Sequence, residues 1–239
     1  MTYLQTSRAR LLLGVFLGLS LLFVVFADID LVVARLFFDQ RFYMADREWT
    51  QFLHESVAVV LVMSLSAVLA IYAFNRSAGR DLGGVTGKKV VYLLLVAVLG
   101  AGVIVNATLK DNFGRVRPRN VQQFGGTGHF TPAFVVADGC KRNCSFSSGD
   151  AAGGFFLTVL ALALTRRRAL IAGAVAFGVA VSSARIASGA HFLSDTIVSF
   201  FVMMIVADIL HHYLFVIEGR PVAAAPEPTP TLHSPGFPL

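Results

Sequence analysis

The chain has 239 residues, of which 56% are hydrophobic and only 14% charged, and its mean hydropathy is +0.70. A soluble domain typically carries about 25% charged residues, so this composition excludes a protein that covers its whole surface with polar groups. The net charge of +6 is divided among short basic clusters between apolar runs. That pattern favours membrane topology and phosphate binding, and we expect no nucleic-acid partner. Two cysteines are too few for a disulfide framework or a thiolate metal site.

Six apolar stretches predict one all-α domain, a polytopic membrane bundle of about six transmembrane helices. They cover residues 11–27, 56–74, 90–109, 151–165, 169–184 and 196–217. A hydrocarbon core about 30 Å thick needs roughly 20 helical residues, with about 17 as the usual lower limit. The fourth and fifth stretches reach this length only when their polar ends at 146–150 and 185–188 are included. Such ends are typical of helices that line a hydrated site.

The segments outside the spans have their own predicted structures. The sequence at 27–30 is a poor signal-peptide cleavage site, so we interpret the first apolar stretch as a retained helix. Within the connection 28–55, residues 31–38 could form a short amphipathic helix at the membrane interface. The tail 218–239 is rich in proline and alanine and is predicted to be disordered. The helical domain is therefore predicted to cover residues 1–217.

The distribution of lysine and arginine predicts the orientation of the bundle. Clusters of lysine and arginine occupy the segments before span one, between spans two and three and between spans four and five, which places these segments and both termini in the cytoplasm. By this count the loop 110–150 lies outside the cell (inner) membrane. Yet its residues 110–148 carry six cations and two acids. An anionic substrate at the periplasmic or exterior face explains this exception.

Two segments of this outer region carry groups that suit phosphate. Lys110 and Arg117 follow the third span, and lysine with arginine offers a compact charge and a planar fork of donors to phosphate oxygens. Ser148 and Gly149 precede the fourth span, where free backbone N–H groups of a helix N-terminus form an anion site. Each feature alone is more often an interfacial anchor or an ordinary serine cap.

The third segment contains Arg185, His191 and Asp195. If the last helix begins near Gly189, His191 and Asp195 are i,i+4 neighbours on one face. A carboxylate that holds the proton of one ring nitrogen frees the other nitrogen to attack, as in catalytic triads. The predicted orientation brings all three segments to the outer ends of the spans. Their convergence there favours a common site over three separate structural features.

These residues resemble the type 2 phosphatidic acid phosphatase family of membrane lipid phosphatases, whose signature is KxxxxxxRP, then PSGH, then SRxxxxxHxxxD. The first part matches from Lys110 to Pro118, and the third matches at Arg185, His191 and Asp195. The order of the three parts and the helix count also agree, over most of residues 56–217. The sequence departs from the signature at three positions, which are Ala184 for serine, Ser147 for proline and Asp150 for histidine.

The resemblance implies a mechanism without a metal or a cofactor. His191 would attack phosphorus and become a phosphohistidine, and Asp195 would orient it. The histidine that ends the second part of the signature, replaced here by Asp150, would protonate the leaving oxygen. The phosphoryl oxygens would be held by Lys110, Arg117, Arg185 and the amides of Ser148 and Gly149. The implied partner is a phosphorylated membrane lipid in the bilayer, namely phosphatidic acid, phosphatidylglycerophosphate, a polyprenyl diphosphate or lipid A.

Asp150 is the main difficulty for this mechanism, since an aspartate beside cations and a helix N-terminus is a poor proton donor at neutral pH. The substrate or a second carboxylate could favour its protonated form, or another group such as His129 could act as the acid. A diphosphate substrate, whose leaving group scarcely needs a proton, is the alternative that we favour from the sequence.

Two further functions stay open at this point. The same residues could pass the phosphate to a second lipid, which would make the protein a phosphotransferase, and a catalytically degenerate homologue would only bind anionic lipid. The oligomeric state is not predictable. Cys140 and Cys144 lie in the outer loop, where an oxidising compartment would favour a disulfide between them.

Overall fold

The computed structural model describes residues 3–217, so the tail predicted at 218–239 lies outside the described residues. Seven helices longer than one turn form the described part. They are α1 (Ser7–Val25), α2 (Asp28–Arg35), α3 (Glu48–Ala78), α4 (Gly87–Lys110), α5 (Gly149–Leu164), α6 (Arg168–Ala187) and α7 (Leu193–Ile217). The second part of α4, Val96–Lys110, and the end of α7, His212–Ile217, are π-helical. Single 3₁₀ turns lie at Tyr3–Gln5, Pro118–Asn120 and Gln122–Phe124.

The predicted all-α membrane bundle is confirmed. By length and apolar composition, five helices are able to cross a membrane, namely α1, α3, α4, α6 and α7. The sixth, α5, is apolar but has only 16 residues. The six helices occupy the six predicted stretches. The largest difference is in α3, which has 31 residues because polar turns extend the apolar stretch at both ends.

The short helix α5 is the centre of the bundle and packs against α3, α4, α6 and α7. Its first two turns are almost entirely buried. Small residues allow this close approach: a Cβ added at Gly154 would lie 3.1 Å from the Gly178 Cα, and one added at Gly178 would lie 2.4 Å from the Phe155 ring. This close packing of the helices fixes the position of the N-terminus of α5, which carries Ser148–Asp150.

The connection between α1 and α3 contains a short helix, as predicted, but at a different position. Helix α2 ends at Arg35, and the chain then forms a hairpin in which β1 (Phe38–Asp39) pairs antiparallel with β2 (Arg41–Phe42). Pairing of Phe38 with Phe42 requires extended backbone, which prevents the helix from continuing to residue 38. Helix α2 packs against α7 and buries Asp30 completely.

The loop between α4 and α5, which the sequence predicts to be the outer loop, is held by backbone hydrogen bonds to its own beginning. The Ser145 N–H donates to the Arg115 carbonyl over 2.8 Å, and the Ala137 N–H donates to the Phe113 carbonyl over 2.9 Å. Gly114 lies between them with φ +62°, and a Cβ there would meet the Ala137 carbonyl oxygen at 1.8 Å. Only glycine fits this position, because any side chain would displace the loop.

The two cysteines lie together in this loop. The Cys140 and Cys144 sulfurs are bonded, and their Cα atoms are 5.6 Å apart, within the usual range for a disulfide. We therefore predict that purified, unreduced protein shows no alkylation of either cysteine by mass spectrometry, whereas reduced protein shows two. Two alkylated cysteines without reduction would contradict the bridge, and would also weaken the outward orientation of the loop.

Candidate active site

His191 lies in the connection between α6 and α7, and only 1% of its surface is exposed. Its Nδ1 is 2.7 Å from the Ser145 carbonyl oxygen. A carbonyl can only accept, so Nδ1 carries the hydrogen and the lone pair of the neutral ring is on Nε2. Burial, with the charges of Arg117 and Arg185 assisting, lowers the pKa of His191 to about 4 in spite of Asp195. The imidazole is therefore neutral, and nucleophilic at Nε2, at physiological pH.

Helix α7 begins at Leu193, not near Gly189, so the expectation that His191 and Asp195 share a helix face is wrong. Asp195 instead caps the start of the helix. Its carboxylate accepts the Phe192 N–H over 2.8 Å, a backbone donor that has no partner within the helix. The His191 Nδ1 is 3.7 Å from the Asp195 Oδ2, too far for a hydrogen bond. Asp195 also accepts from the Ser145 hydroxyl, and so holds the residue whose carbonyl orients His191.

Arg115 connects Asp195 to Asp30 and was not predicted as a site residue. The Arg115 Nη1 donates to the Asp195 Oδ1 over 2.6 Å, and its Nη2 donates to the Asp30 Oδ2 over 2.8 Å. All three side chains are at most 1% exposed. The guanidinium lies 4.3 Å from the centroid of the Phe192 ring, and Ser194 donates its N–H to Asp30. A buried network of ions and hydrogen bonds thus fixes the segment that contains His191.

The phosphate-binding residues predicted at the α4–α5 junction meet at the N-terminus of α5. Ser148 is fully buried and caps the helix, its hydroxyl accepting the Ala151 N–H over 3.3 Å. A Cβ added at Gly149 would lie 3.2 Å from the Lys110 Nζ and 2.5 Å from the Asn106 Oδ1. The Lys110 ammonium therefore lies beside the backbone of the first turn of α5. Positive charge and free N–H groups together form an anion site.

Arg185 extends this anion site from α6. Its Nε lies 2.9 Å from the Asp150 Oδ2 as an ion pair, but this N–H is buried and has no aligned hydrogen-bond partner among residues 3–217. The same carboxylate oxygen is 3.1 Å from the Nδ1 of His54, on α3. His54 belongs to none of the three sequence segments and was not predicted. The backbone carbonyl of Arg185 accepts the His191 N–H over 3.2 Å, which links the cations at the α5 N-terminus to the segment that carries His191.

Arg117 lies in the loop between α4 and α5 and contacts that loop. Its guanidinium donates twice to the Asn143 carbonyl, over 2.9 and 3.2 Å, and once to the side-chain oxygen of that residue. Partial burial and the nearby charges of Arg119 and Arg185 lower the pKa of Arg117. With Arg119 and Arg142 it lines a polar cavity of about 530 Å³. His129, the other histidine considered as an acid, is exposed on the outer loop.

The sequence model of the PAP2 superfamily matches residues 90–217, more than half of the chain. The protein therefore belongs to the PAP2 superfamily, as its resemblance to the type 2 phosphatidic acid phosphatases predicted. The matched range begins in α4 and covers all three sequence segments, but it excludes Asp30 and His54.

Two curated relatives are lipid A 4'-phosphatases. The protein from Francisella tularensis subsp. novicida is 40% identical over 114 residues, which cover 46% of this chain and 51% of the relative. The protein from Rhizobium leguminosarum is 32% identical over 152 residues, or 63% of each chain. The chain thus spans about half to two thirds of the length of these relatives. No solved structure gives a significant match.

The buried network predicts the effect of removing Arg115. Arg115→Leu leaves Asp30 and Asp195 buried without their counter-ion, and the loss of one partner of a buried pair costs about 3–5 kcal/mol. We expect a large fall in the free energy of unfolding in detergent, together with a loss of activity. Arg119→Leu is the matched control, because Arg119 is exposed. An equal, small change in both variants would contradict the role of the network.

Proposed function

We propose that the protein is an integral membrane lipid phosphatase that hydrolyses a phosphomonoester through a phosphohistidine at His191. The observation that carries this proposal is the neutral, buried imidazole of His191, whose Nδ1–H is engaged by a carbonyl and whose Nε2 lone pair is free. Lys110, Arg185 and the N-terminus of α5 supply the positive charge that a phosphoryl group requires.

In the proposed reaction, the His191 Nε2 attacks phosphorus while the phosphoryl oxygens are held by the cations and the α5 amides. Charge on these oxygens is stabilised by preorganised donors, which is the main catalytic contribution in phosphoryl transfer. The hydrogen bond from Nδ1 to the Ser145 carbonyl stabilises the ring as it gains positive charge. Water then attacks the phosphohistidine and releases orthophosphate. We propose that no metal takes part, because Lys110, Arg117 and Arg185 carry the charge that a metal ion would supply.

Among the four candidate substrates, the relatives favour lipid A. These relatives are named for removal of the 4'-phosphate of lipid A. Lipid A is a phosphorylated sugar, so the leaving group of this reaction would be a sugar hydroxyl. An alkoxide is a poor leaving group and needs a proton as the P–O bond breaks. This substrate would replace the diphosphate lipid that the sequence alone led us to favour.

An apolar cavity near the site supports a lipid substrate. It has a volume of about 390 Å³, is lined almost entirely by apolar side chains, and lies between α1, α5, α6 and α7. Ile186 and Leu193, which flank the connection that carries His191, both line it. An acyl chain in this cavity would keep its phosphorylated headgroup beside the nucleophile.

The distribution of basic residues supports the proposal that the site faces the periplasm, with both termini in the cytoplasm. The bonded cysteines, Cys140 and Cys144, agree with that orientation, since an oxidising compartment favours the bridge. The site would then meet lipids of the outer leaflet of the inner membrane.

The nucleophile assignment gives a direct prediction. His191→Asn in purified protein should lower orthophosphate release from lipid A by at least about 10³-fold, because removal of a nucleophile leaves only binding and electrostatic effects. The matched control is His211→Asn, on α7 near its opposite end, which should retain activity. Wild-type activity should persist in EDTA.

Two outcomes of this assay would contradict the proposal. Residual activity of His191→Asn above a few per cent of wild type would show that His191 is not the nucleophile. Phosphate that appears on a second lipid in place of orthophosphate would favour the phosphotransferase alternative.

A further inference from the structure

The position that carries the proton-donating histidine in the related family is occupied here by Asp150, whose surroundings make it an acceptor. Its Oδ2 lies 2.9 Å from the Arg185 Nε and 3.1 Å from the His54 Nδ1. A carboxylate oxygen that is ion-paired with a guanidinium can only accept, so the hydrogen bond with the His54 imidazole is one that Asp150 accepts and does not donate. The proton for the leaving group must therefore come from another residue.

We propose that His54 is this proton donor and that Asp150 is the residue that positions it. His54 lies near the start of α3, a helix that carries none of the three family segments. Its side chain is 43% exposed. Its Nδ1 contacts the carboxylate of Asp150, which also contacts Arg185, one of the proposed phosphate-binding residues. With Nδ1 engaged by Asp150, the Nε2 is the nitrogen available to a substrate. This inference rests on the proposed function.

The proposed steps balance as follows. The His191 Nε2 forms a bond to phosphorus as the bond between phosphorus and the ester oxygen breaks, and the Nε2–H of the His54 imidazolium passes its proton to that oxygen. The alcohol leaves, and His54 is neutral. Water then attacks the phosphohistidine, His54 takes one proton from that water, and the P–N bond breaks. Orthophosphate leaves, and both histidines return to their initial states.

Asp150 and His54 thus divide the role of a single family histidine between two helices. The imidazole is supplied by α3 and not by α5, and the carboxylate at the family position orients it, as aspartate orients histidine in a catalytic triad. Two charged groups lie near this pair, Arg185 on α6 and Lys110 at the end of α4, and Glu55 follows His54 in the sequence of α3. An imidazole nitrogen can donate a proton and later accept one, which suits His54 to general acid and then general base catalysis.

The test compares leaving groups in the first turnover of the full-length protein in detergent. Lipid A and phosphatidic acid are esters of alcohols and need a proton, whereas an acylated nitrophenyl phosphate releases nitrophenolate without one. His54→Gln should slow single-turnover cleavage of the alcohol esters by about 10²–10⁴-fold, the usual contribution of general acid catalysis. The nitrophenolate burst should change by less than about tenfold. His129→Gln, a change at an exposed loop histidine, is the matched control and should leave both rates unchanged.

The pH profile provides a second measurement that a purely structural role would not alter. General acid catalysis makes the single-turnover rate on an alcohol ester depend on pH in the wild type, and this dependence should be absent in His54→Gln. Asp150→Asn should give a smaller loss with the same dependence on the leaving group, because the imidazole remains but is not oriented.

Four results would contradict the inference or a part of the function on which it rests. An equal loss on all the esters would show that His54 only supports the structure, and an unchanged rate on the alcohol esters would exclude it as the donor. If wild-type protein cleaves phosphatidic acid but not lipid A, the lipid A assignment fails while the His54 test proceeds. If wild-type protein cleaves none of the esters, the proposed function itself is contradicted.

Discussion

The active site depends on one buried ionic network, in which the Arg115 guanidinium lies between the carboxylates of Asp30 and Asp195. Charges that are almost fully removed from water are tolerated only when they are paired and hydrogen-bonded. This requirement fixes α2, the outer loop and the start of α7 relative to one another. The segment that contains His191 is part of this assembly, so its imidazole has one orientation, with Nδ1 on the Ser145 carbonyl.

The candidate site combines this buried side with a charged and partly exposed side. Burial keeps His191 neutral and therefore nucleophilic, while Lys110, Arg185 and the α5 N-terminus provide positive charge where the phosphoryl group would bind. In our proposal, Asp150 has a different function from the histidine at this position of the family signature. It neutralises part of this charge and, in our proposal, orients His54 on the neighbouring helix.

The sequence predicted the bundle because the thickness of a membrane sets a minimum length for each apolar stretch. It also predicted that Lys110, Ser148, Arg185 and His191 converge, because spacing and topology place them at the same ends of the helices. It could not predict Arg115 or His54. Their partners, Asp30 and Asp150, lie 85 and 96 residues away in the chain, and no local pattern marks such pairs. The start of α7 was misplaced because Asp195 caps the helix at Leu193, which the signature alone does not reveal.

The central claim is a covalent intermediate on the Nε2 of His191, and the stereochemical course at phosphorus tests it most directly. Each in-line displacement inverts the configuration, so attack by His191 followed by attack by water predicts net retention. The measurement uses a lipid phosphate made chiral with oxygen isotopes and sulfur, hydrolysed by the purified wild-type protein in isotopically labelled water. Retention of configuration in the released thiophosphate is the result that the account predicts. Inversion would mean that water attacks the substrate directly and that His191 is not a nucleophile.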